Sequence, residues 1–149
     1  MILYRITTKP YINDLSGTGA MLYGGRWNAK GQRMIYTSES LSLAMLEIMA
    51  NLSSKLLGRS FYCVELELPK ETVIETLQVL PDQWNAYPYT LATIEMGNDF
   101  LKGGGACLKV PSAIIPSEFN YLLNPLHDDF RHLKVVDARP IMFDHRLMD

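Results

Sequence analysis

The chain has 149 residues, of which 48% are hydrophobic and 20% are charged, a balance typical of compact globular proteins and unlike that of disordered or fibrous chains. Lysine and arginine together number 14 against 16 aspartates and glutamates, so the net charge of -2 provides no overall attraction to nucleic acid. No apolar stretch is long enough to span a bilayer and the N-terminus lacks a signal-peptide pattern, so we expect one cytoplasmic domain over residues 1–149 without membrane contact.

The first third of the chain contains two predicted strands joined by a glycine-rich segment. Residues 2–7 are β-prone and carry Arg5 at the middle of the strand, and residues 34–37 form the second strand. Between these strands, residues 16–31 contain five glycines, which favours a long loop over a helix or a regular strand.

A helix and further strands follow. The helix covers residues 41–52, which are mostly strong helix formers, and Ser38 or Ser40 can cap it. Residues 61–68 show the period-two alternation of a half-buried strand. The other predicted elements are a short helix at 91–101, two short strands or one kinked edge strand at 106–110 and 112–115, an irregular segment at 119–127, and strands at 133–136 and 141–143. Together these elements predict an α+β fold with central, mostly antiparallel strands and flanking helices.

Glu47 is the most informative position in the predicted helix. It is the only charged residue between Ser40 and Ser54, and no basic residue lies three or four positions away from it. A carboxylate on an inward face costs free energy unless a partner or ligand stabilises it, which makes Glu47 a candidate site residue. We expect it to share that inward face with Leu43, Leu46 and Ala50. Alternatively, Glu47 lies at a narrow solvent-exposed edge of an ordinary amphipathic helix.

Two arginines are candidates for binding an anion. Arg26 follows Gly24 and Gly25, which would let the backbone approach a ligand closely, and a guanidinium binds phosphate or carboxylate through two parallel hydrogen bonds. The alternative is a loop arginine paired with a surface acid. The pattern matches neither a Rossmann nor a P-loop motif. Arg5, among apolar neighbours in a strand, needs an anionic partner if it points inward.

Other side chains carry weaker signals. Ser112 lies in the sequence VPSAIIP without a GxSxG motif, and no histidine has a triad context, so a serine hydrolase is excluded and Ser112 is either a positioned hydrogen-bond donor or an edge-strand serine. Tyr36, Trp27 and Tyr23 could stack on a planar ring, although aromatic residues near strands usually belong to the core.

No metal site is expected. The segment HDDF at residues 127–130 has no spaced partner and is typical of a turn. Cys63 and Cys107 are the only cysteines and form no Cys-x-x-Cys motif, so we expect two buried thiols and neither a zinc site nor a disulfide framework.

In combination these features resemble the RES domain, a toxin family of bacterial type II toxin-antitoxin systems named for an arginine, a glutamate and a serine. The three naming positions correspond to Arg26, Glu47 and Ser112. The resemblance covers most of the chain, and its motifs in order are YRI at 4–6, GGRWN at 24–28 with Gly31, Tyr36, SLAMLE at 42–47, VPS at 110–112 and NYLLNPLH at 120–127, with weaker similarity at Trp84 and GNDFL at 97–101.

The resemblance implies an ADP-ribosyltransferase-like fold and an enzyme that acts on NAD as its substrate, without a metal. Members degrade NAD to nicotinamide and an ADP-ribose product by hydrolysis or phosphorolysis, and some relatives instead ADP-ribosylate a protein. The implied partner is an antitoxin with an Xre-like helix-turn-helix region, whose C-terminal part blocks the active site. That partner would carry any DNA binding, in agreement with the net charge of -2 of this chain.

The same resemblance, taken with the chemistry of the residues, predicts a site. We expect Glu47 to stabilise the positive charge that develops on the ribose, while Arg26 and Arg5 bind the diphosphate or neighbouring ribose oxygens. Ser112 either hydrogen-bonds the ribose or positions Glu47. The expected residues are Glu47, Arg26 and Ser112 for catalysis, and Arg5, Arg26, Tyr36, Gly25 and Trp27 for binding NAD.

Two other function classes compete with NAD cleavage. ADP-ribosyl transfer to a protein would use the same pocket and differ only in the acceptor. A non-enzymatic module that binds a nucleotide or a partner would keep the arginines but would have no need for Glu47. A ribonuclease toxin is disfavoured, because the sequence has no basic patch with interleaved aromatic residues and no paired histidines.

Overall fold

A computed structural model of the chain describes residues 1–51 and 58–147. These residues form seven strands and three α-helices, together with short 3-10 turns. In chain order the elements are β1 (Ile2–Thr8), α1 (Thr18–Tyr23), β2 (Ile35–Ser38), α2 (Leu41–Asn51), β3 (Phe61–Glu67), β4 (Ile74–Thr76), α3 (Leu91–Lys102), β5 (Cys107–Pro111), β6 (Phe119–Leu123) and β7 (Val135–Ile141).

The seven strands form one sheet in the order β4-β5-β6-β2-β1-β3-β7. All neighbouring strands are antiparallel except β4 and β5, which are parallel. This arrangement confirms the expected α+β class with mostly antiparallel strands. The centre of the sheet places β6, β2 and β1 side by side, so that Asn120 lies opposite Ser38, which in turn lies opposite Tyr4.

Two apolar clusters hold the sheet and helices together. One forms around Leu3, Val64 and Leu66 of the central strands, all with no exposed surface. The other contains Trp27, packed with Phe100 of α3 and with residues of β5 and β6. This second cluster fixes the segment that carries Arg26 against the sheet. The two thiols are free and buried, as expected.

The sequence predictions hold best for three elements and for the start of a fourth. Strand β1, strand β3 and helix α3 lie within one residue of their predicted bounds. Helix α2 begins at Leu41, and Ser40 rather than Ser38 caps it, since the Ser40 hydroxyl accepts a hydrogen bond from the Leu43 amide at 3.1 Å. The predicted last residue of this helix, at position 52, lies outside the described residues.

The interpretation of the glycine-rich segment as a loop throughout is wrong, because it contains α1. Gly17 and Gly24, with φ angles of 71° and 70°, flank this helix rather than interrupt it. Their positive φ angles let the chain enter and leave one short helix, and glycine adopts such angles at little cost.

The second half of the sheet also differs from the predictions. Residues 119–123, expected to be irregular, form the inner strand β6, whose Tyr121, Leu122 and Leu123 are buried as a continuous apolar run. Residues 112–115 form no strand, and β5 is not an edge strand because it lies between β4 and β6. The short strand β4 was not predicted, and the two final strands are one continuous strand, β7.

None of the helices within residues 1–51 and 58–147 combines the length and apolarity that crossing a membrane requires.

Candidate active site

The carboxylate of Glu47 is held by side chains from two distant segments. Its Oε1 atom accepts a hydrogen bond from the Ser112 hydroxyl at 2.7 Å and another from the Asn120 side-chain amide at 2.7 Å. Glu47 lies on α2, Ser112 follows β5, and Asn120 is on β6. The structure therefore brings together two of the three family naming positions, together with an asparagine that the site prediction had omitted.

Ser112 has no exposed surface and is bonded at every available position of its hydroxyl. The hydroxyl oxygen accepts hydrogen bonds from the backbone amides of Ile114 at 3.0 Å and Ile115 at 3.1 Å, and the single hydroxyl hydrogen is donated to Glu47. Of the two roles predicted for Ser112, this geometry favours positioning Glu47, because the hydroxyl has no second hydrogen for a ribose oxygen.

The predicted inward face of α2 is only partly correct. Leu43 is buried, but Leu46 is 38% exposed and Ala50 is exposed, so Glu47 lies at the border between the buried side and the solvent side of the helix. In this half-buried position the carboxylate accepts two hydrogen bonds at Oε1 and still borders a cavity.

Two cavities meet at Glu47. The smaller has a volume of 330 Å³ and extends toward Arg5, and the larger has a volume of 820 Å³ and extends toward Arg26. Both volumes are of the size that small-molecule and cofactor sites occupy. The residues that border both cavities are Gly19, Ala20, Tyr36, Glu47, Ile48, Asn51 and Asn120.

Arg26 is half-buried beside the larger cavity. Its Nη1 atom donates to the backbone carbonyls of Trp84 and Ala86, both at 2.8 Å, and its guanidinium carbon lies 5.7 Å from the centroid of the Tyr89 ring. Burial lowers the pKa of Arg26, and the charge of Glu47 opposes that effect. Among the described residues Arg26 forms no ion pair, so the surface-pair alternative is not observed there.

Arg5 borders the smaller cavity. Its Nη1 atom donates to the backbone carbonyl of Asp14 at 2.7 Å. Burial lowers the pKa of Arg5, and the charge of Asp14 opposes this. The inward-pointing arginine of β1 thus has a carbonyl partner and a nearby carboxylate, as well as access to a cavity.

Tyr36, Gly25 and Trp27 form a packed unit on the wall of the larger cavity. The Tyr36 hydroxyl donates a hydrogen bond to the Asn28 side-chain oxygen at 2.6 Å and accepts one from the Trp27 backbone amide at 3.1 Å. Burial raises the pKa of Tyr36, so its phenol stays neutral. A Cβ atom at Gly25 would lie 2.6 Å from the Tyr36 hydroxyl oxygen. The absence of a side chain at Gly25 therefore lets the Tyr36 hydroxyl approach the backbone, whereas the sequence predicted only the approach of a ligand.

The structure places the ring of Trp27, which was predicted to bind NAD, mainly in the apolar core. Trp27 is 3% exposed and belongs to the apolar cluster with Phe100, so its ring packs in the core although the residue borders the larger cavity. Tyr36 borders both cavities and remains the aromatic side chain best placed beside a ligand.

The site prediction missed Asn120 and Ser38. Asn120 bridges Glu47 and Ser38, whose hydroxyl donates to the Asn120 side-chain oxygen at 2.7 Å. The only sequence signal for Asn120 is its place in the NYLLNPLH motif, since a single asparagine in an expected irregular segment is typical of a turn. Within the ranges that the structure describes, no three His, Cys, Asp or Glu side chains lie close enough to hold a metal ion.

Solved structures show the same architecture. A chain of the M. tuberculosis MbcT-MbcA toxin-antitoxin complex superposes with a TM-score of 0.76 at 18% sequence identity, over 95% of this chain and 84% of that chain. This likeness shows that the two chains share a fold, in agreement with the expected α+β class.

Sequence relatives cover nearly the whole chain. Toxin Res of Photorhabdus laumondii is 37% identical over 152 residues, which span 99% of this chain and 97% of that protein. The Prs ADP-ribosylating toxin of Sphingobium sp. is 38% identical over 141 residues, which span 91% of this chain and 88% of that protein. The RES domain matches residues 2–144. The chain is therefore a member of the RES domain family.

Proposed function

We propose that this protein is a toxin of a bacterial toxin-antitoxin system that cleaves the bond between nicotinamide and ribose in NAD. The observation that carries this proposal is the Glu47 carboxylate, which is hydrogen-bonded by two side chains at the junction of two cavities, each bordered by an arginine. The names of relatives support the toxin assignment, since one is Toxin Res and another is an ADP-ribosylating toxin.

Glu47 supplies the electrostatic part of the reaction. Breaking a glycosidic bond to a ribose passes through a transition state that resembles an oxocarbenium ion, with positive charge on the sugar. A fixed carboxylate stabilises that charge more strongly in the transition state than in the bound substrate, and this difference accelerates the reaction. Nicotinamide leaves as a neutral molecule, so the mechanism requires neither a general acid nor a metal.

The two arginines anchor different parts of the dinucleotide. Because Arg26 borders the larger cavity and Arg5 borders the smaller one, we assign them separate roles instead of a shared role at the diphosphate. We assign the diphosphate to Arg26 and neighbouring ribose oxygens to Arg5. Tyr36, which borders both cavities, forms the wall against which the nicotinamide ring lies. Anchoring both sides of the reacting sugar lowers the entropic part of the barrier.

The acceptor of the ADP-ribosyl group defines a second candidate function. Water or phosphate as acceptor makes the protein a glycohydrolase or phosphorylase that depletes NAD, whereas a protein side chain makes it an ADP-ribosyltransferase. The name of one relative, Prs ADP-ribosylating toxin, supports ADP-ribosyl transfer as this second candidate. Incubation with adenine-labelled NAD, with and without phosphate and cell extract, distinguishes free ADP-ribose, a phosphorylated product and labelled protein.

The mouth of the larger cavity is suited to a covering partner. Tyr23 and Tyr87 border this cavity and are 77% and 82% exposed, and Ile114, which also borders it, is 37% exposed. We propose that an antitoxin with an Xre-like helix-turn-helix region covers these side chains with its C-terminal part and blocks the site, and that any DNA binding resides in that partner. A toxin-antitoxin complex in which Tyr87 stays as exposed as in the free chain would contradict this assignment.

Nicotinamide release from NAD by the purified protein tests the proposed reaction. Glu47→Gln keeps the shape of the side chain and removes its charge, so we expect release to fall by about 100- to 1000-fold. Glu95→Gln is the matched control, because Glu95 is an exposed helical glutamate that borders neither cavity, and it should leave the rate unchanged.

Two results would count against the reaction. Release by Glu47→Gln at the parent rate would remove Glu47 from the mechanism. NAD binding by the parent protein without nicotinamide release would favour the non-enzymatic binding module.

A further inference from the structure

A hydrogen-bonded chain leads from the centre of the sheet to the proposed catalytic carboxylate. The Ser38 hydroxyl donates to Oδ1 of Asn120 at 2.7 Å, and Nδ2 of Asn120 donates to Oε1 of Glu47 at 2.7 Å. Ser38 is 4% exposed, and its backbone lies directly opposite that of Asn120 where β2 pairs with β6. The backbone positions of both side chains are therefore set by the sheet.

The direction of this chain follows from charge. The two ends of an asparagine amide are nearly identical in shape, but one accepts and the other donates. The opposite orientation would place the Asn120 oxygen against the Glu47 carboxylate, where two acceptors repel. The Ser38 hydroxyl completes the observed orientation by donating to the oxygen at the far end.

Both donors bind the same oxygen of Glu47. Ser112 and Asn120 each donate to Oε1, and no described residue donates to Oε2. Since Glu47 and Asn120 border both cavities, Oε2 is the carboxylate oxygen left for a substrate. A carboxylate held at one oxygen by two donors has little freedom to rotate, which is the preorganisation that electrostatic catalysis needs.

We infer that Asn120, supported by Ser38, is a positioning residue that fixes the Glu47 carboxylate so that Oε2 faces the reacting ribose. This inference rests on the proposed function for its kinetic consequence. Because Arg5 and Arg26 would still bind NAD, loss of Asn120 lowers kcat and leaves KM nearly unchanged.

Three variants at or near Asn120 test the inference by steady-state nicotinamide release. Asn120→Ala removes one donor to a carboxylate and should lower kcat by about 10- to 100-fold, with KM changed by less than about threefold. Asn120→Asp keeps the shape but places a second carboxylate against Glu47, and should lower kcat roughly tenfold further. Asn124→Ala is the matched control, since Asn124 is a buried asparagine bonded at both ends of its amide but bordering neither cavity.

The control separates positioning from stability. Asn124→Ala should lower the free energy of unfolding but leave kcat per folded molecule unchanged. A merely structural Asn120 would tolerate aspartate better than alanine, so kcat higher in Asn120→Asp than in Asn120→Ala overturns the inference. If Asn120→Ala does not fold, Ser38→Ala provides the same test, with an expected loss in kcat of about 3- to 10-fold.

A readout without turnover distinguishes this inference from the proposed function. In the parent protein, NMR should show one Asn120 side-chain amide proton that exchanges slowly with solvent, and Glu47→Gln should speed up that exchange. An unchanged exchange rate overturns the positioning role even if NAD is cleaved. Failure of the parent protein to release nicotinamide overturns the proposed function, while the NMR comparison still decides whether Asn120 holds Glu47.

Discussion

Gly97 lies where α3 passes the backbone of Trp27, and its replacement by alanine tests how the arginine of the site is held in place. A Cβ atom at this position would lie 1.5 Å from the Trp27 carbonyl oxygen and 2.6 Å from its carbonyl carbon. An ordinary contact would require the Trp27 carbonyl oxygen and the added Cβ atom to lie about 2 Å farther apart. The neighbour is backbone rather than a flexible side chain, so α3 and the segment of Trp27 have to move apart.

The cost follows from overpacking a rigid contact. Inserting a methyl group into a close-packed interior costs about 1 to 3 kcal/mol, and a clash with backbone belongs at the upper end of that range. We therefore expect Gly97→Ala to lower the free energy of unfolding by about 3 kcal/mol, or the Tm by roughly 6 to 12 °C. Arg26 precedes Trp27 and moves with it, so nicotinamide release by the folded fraction should fall by about tenfold or more.

Urea unfolding followed by tryptophan fluorescence measures the stability change, and nicotinamide release below the transition measures the activity change. Gly19→Ala is the control for stability, because a Cβ atom there meets nothing within 4 Å inside α1 and should be neutral or stabilising by up to about 1 kcal/mol. If Gly97→Ala unfolds within about 0.5 kcal/mol of the parent protein, the close packing of α3 on Trp27 is refuted.

Arg26→Lys keeps the positive charge but loses the planar fork that can bond the carbonyls of Trp84 and Ala86 and a diphosphate together, so KM for NAD should rise by about tenfold; an unchanged KM would contradict the anchor role. Stability should also fall as the pH rises past about 9, because burial raises the pKa of the Cys107 thiol to about 12, whereas the unfolded thiol loses its proton near 9.0. By roughly pH 10, ionisation of the Cys107 thiol in the unfolded chain should lower the free energy of unfolding by about 1 kcal/mol. Urea titrations of Cys107→Ala should therefore show a shallower decline of stability at alkaline pH. An equal slope in the variant and the parent protein would assign the decline to other groups.

Local sequence patterns predicted the elements whose own residues carry a clear signal. The alternation in β3 and the helix formers of α2 carry their own signal, and these elements appear close to their predicted bounds. The patterns failed for β6, because asparagines near a proline are typical of turns, whereas the strand pairs on both sides and buries its apolar run. They failed for α1 because the glycines that argue against a helix lie mostly at its ends.

By itself, the sequence determined the types of residue available for chemistry: an isolated glutamate on a helix, an arginine after two glycines, and a serine between apolar residues. Together with the family resemblance, these residue types predicted Glu47, Arg26 and Ser112 as site residues, but not how their side chains are arranged. Only the tertiary structure decided that Ser112 and Asn120, which are 65 and 73 positions from Glu47, donate to the same carboxylate oxygen. The physical reason is that strand pairing across β5, β6 and β2 sets these distances, and no local pattern encodes which strands will be neighbours.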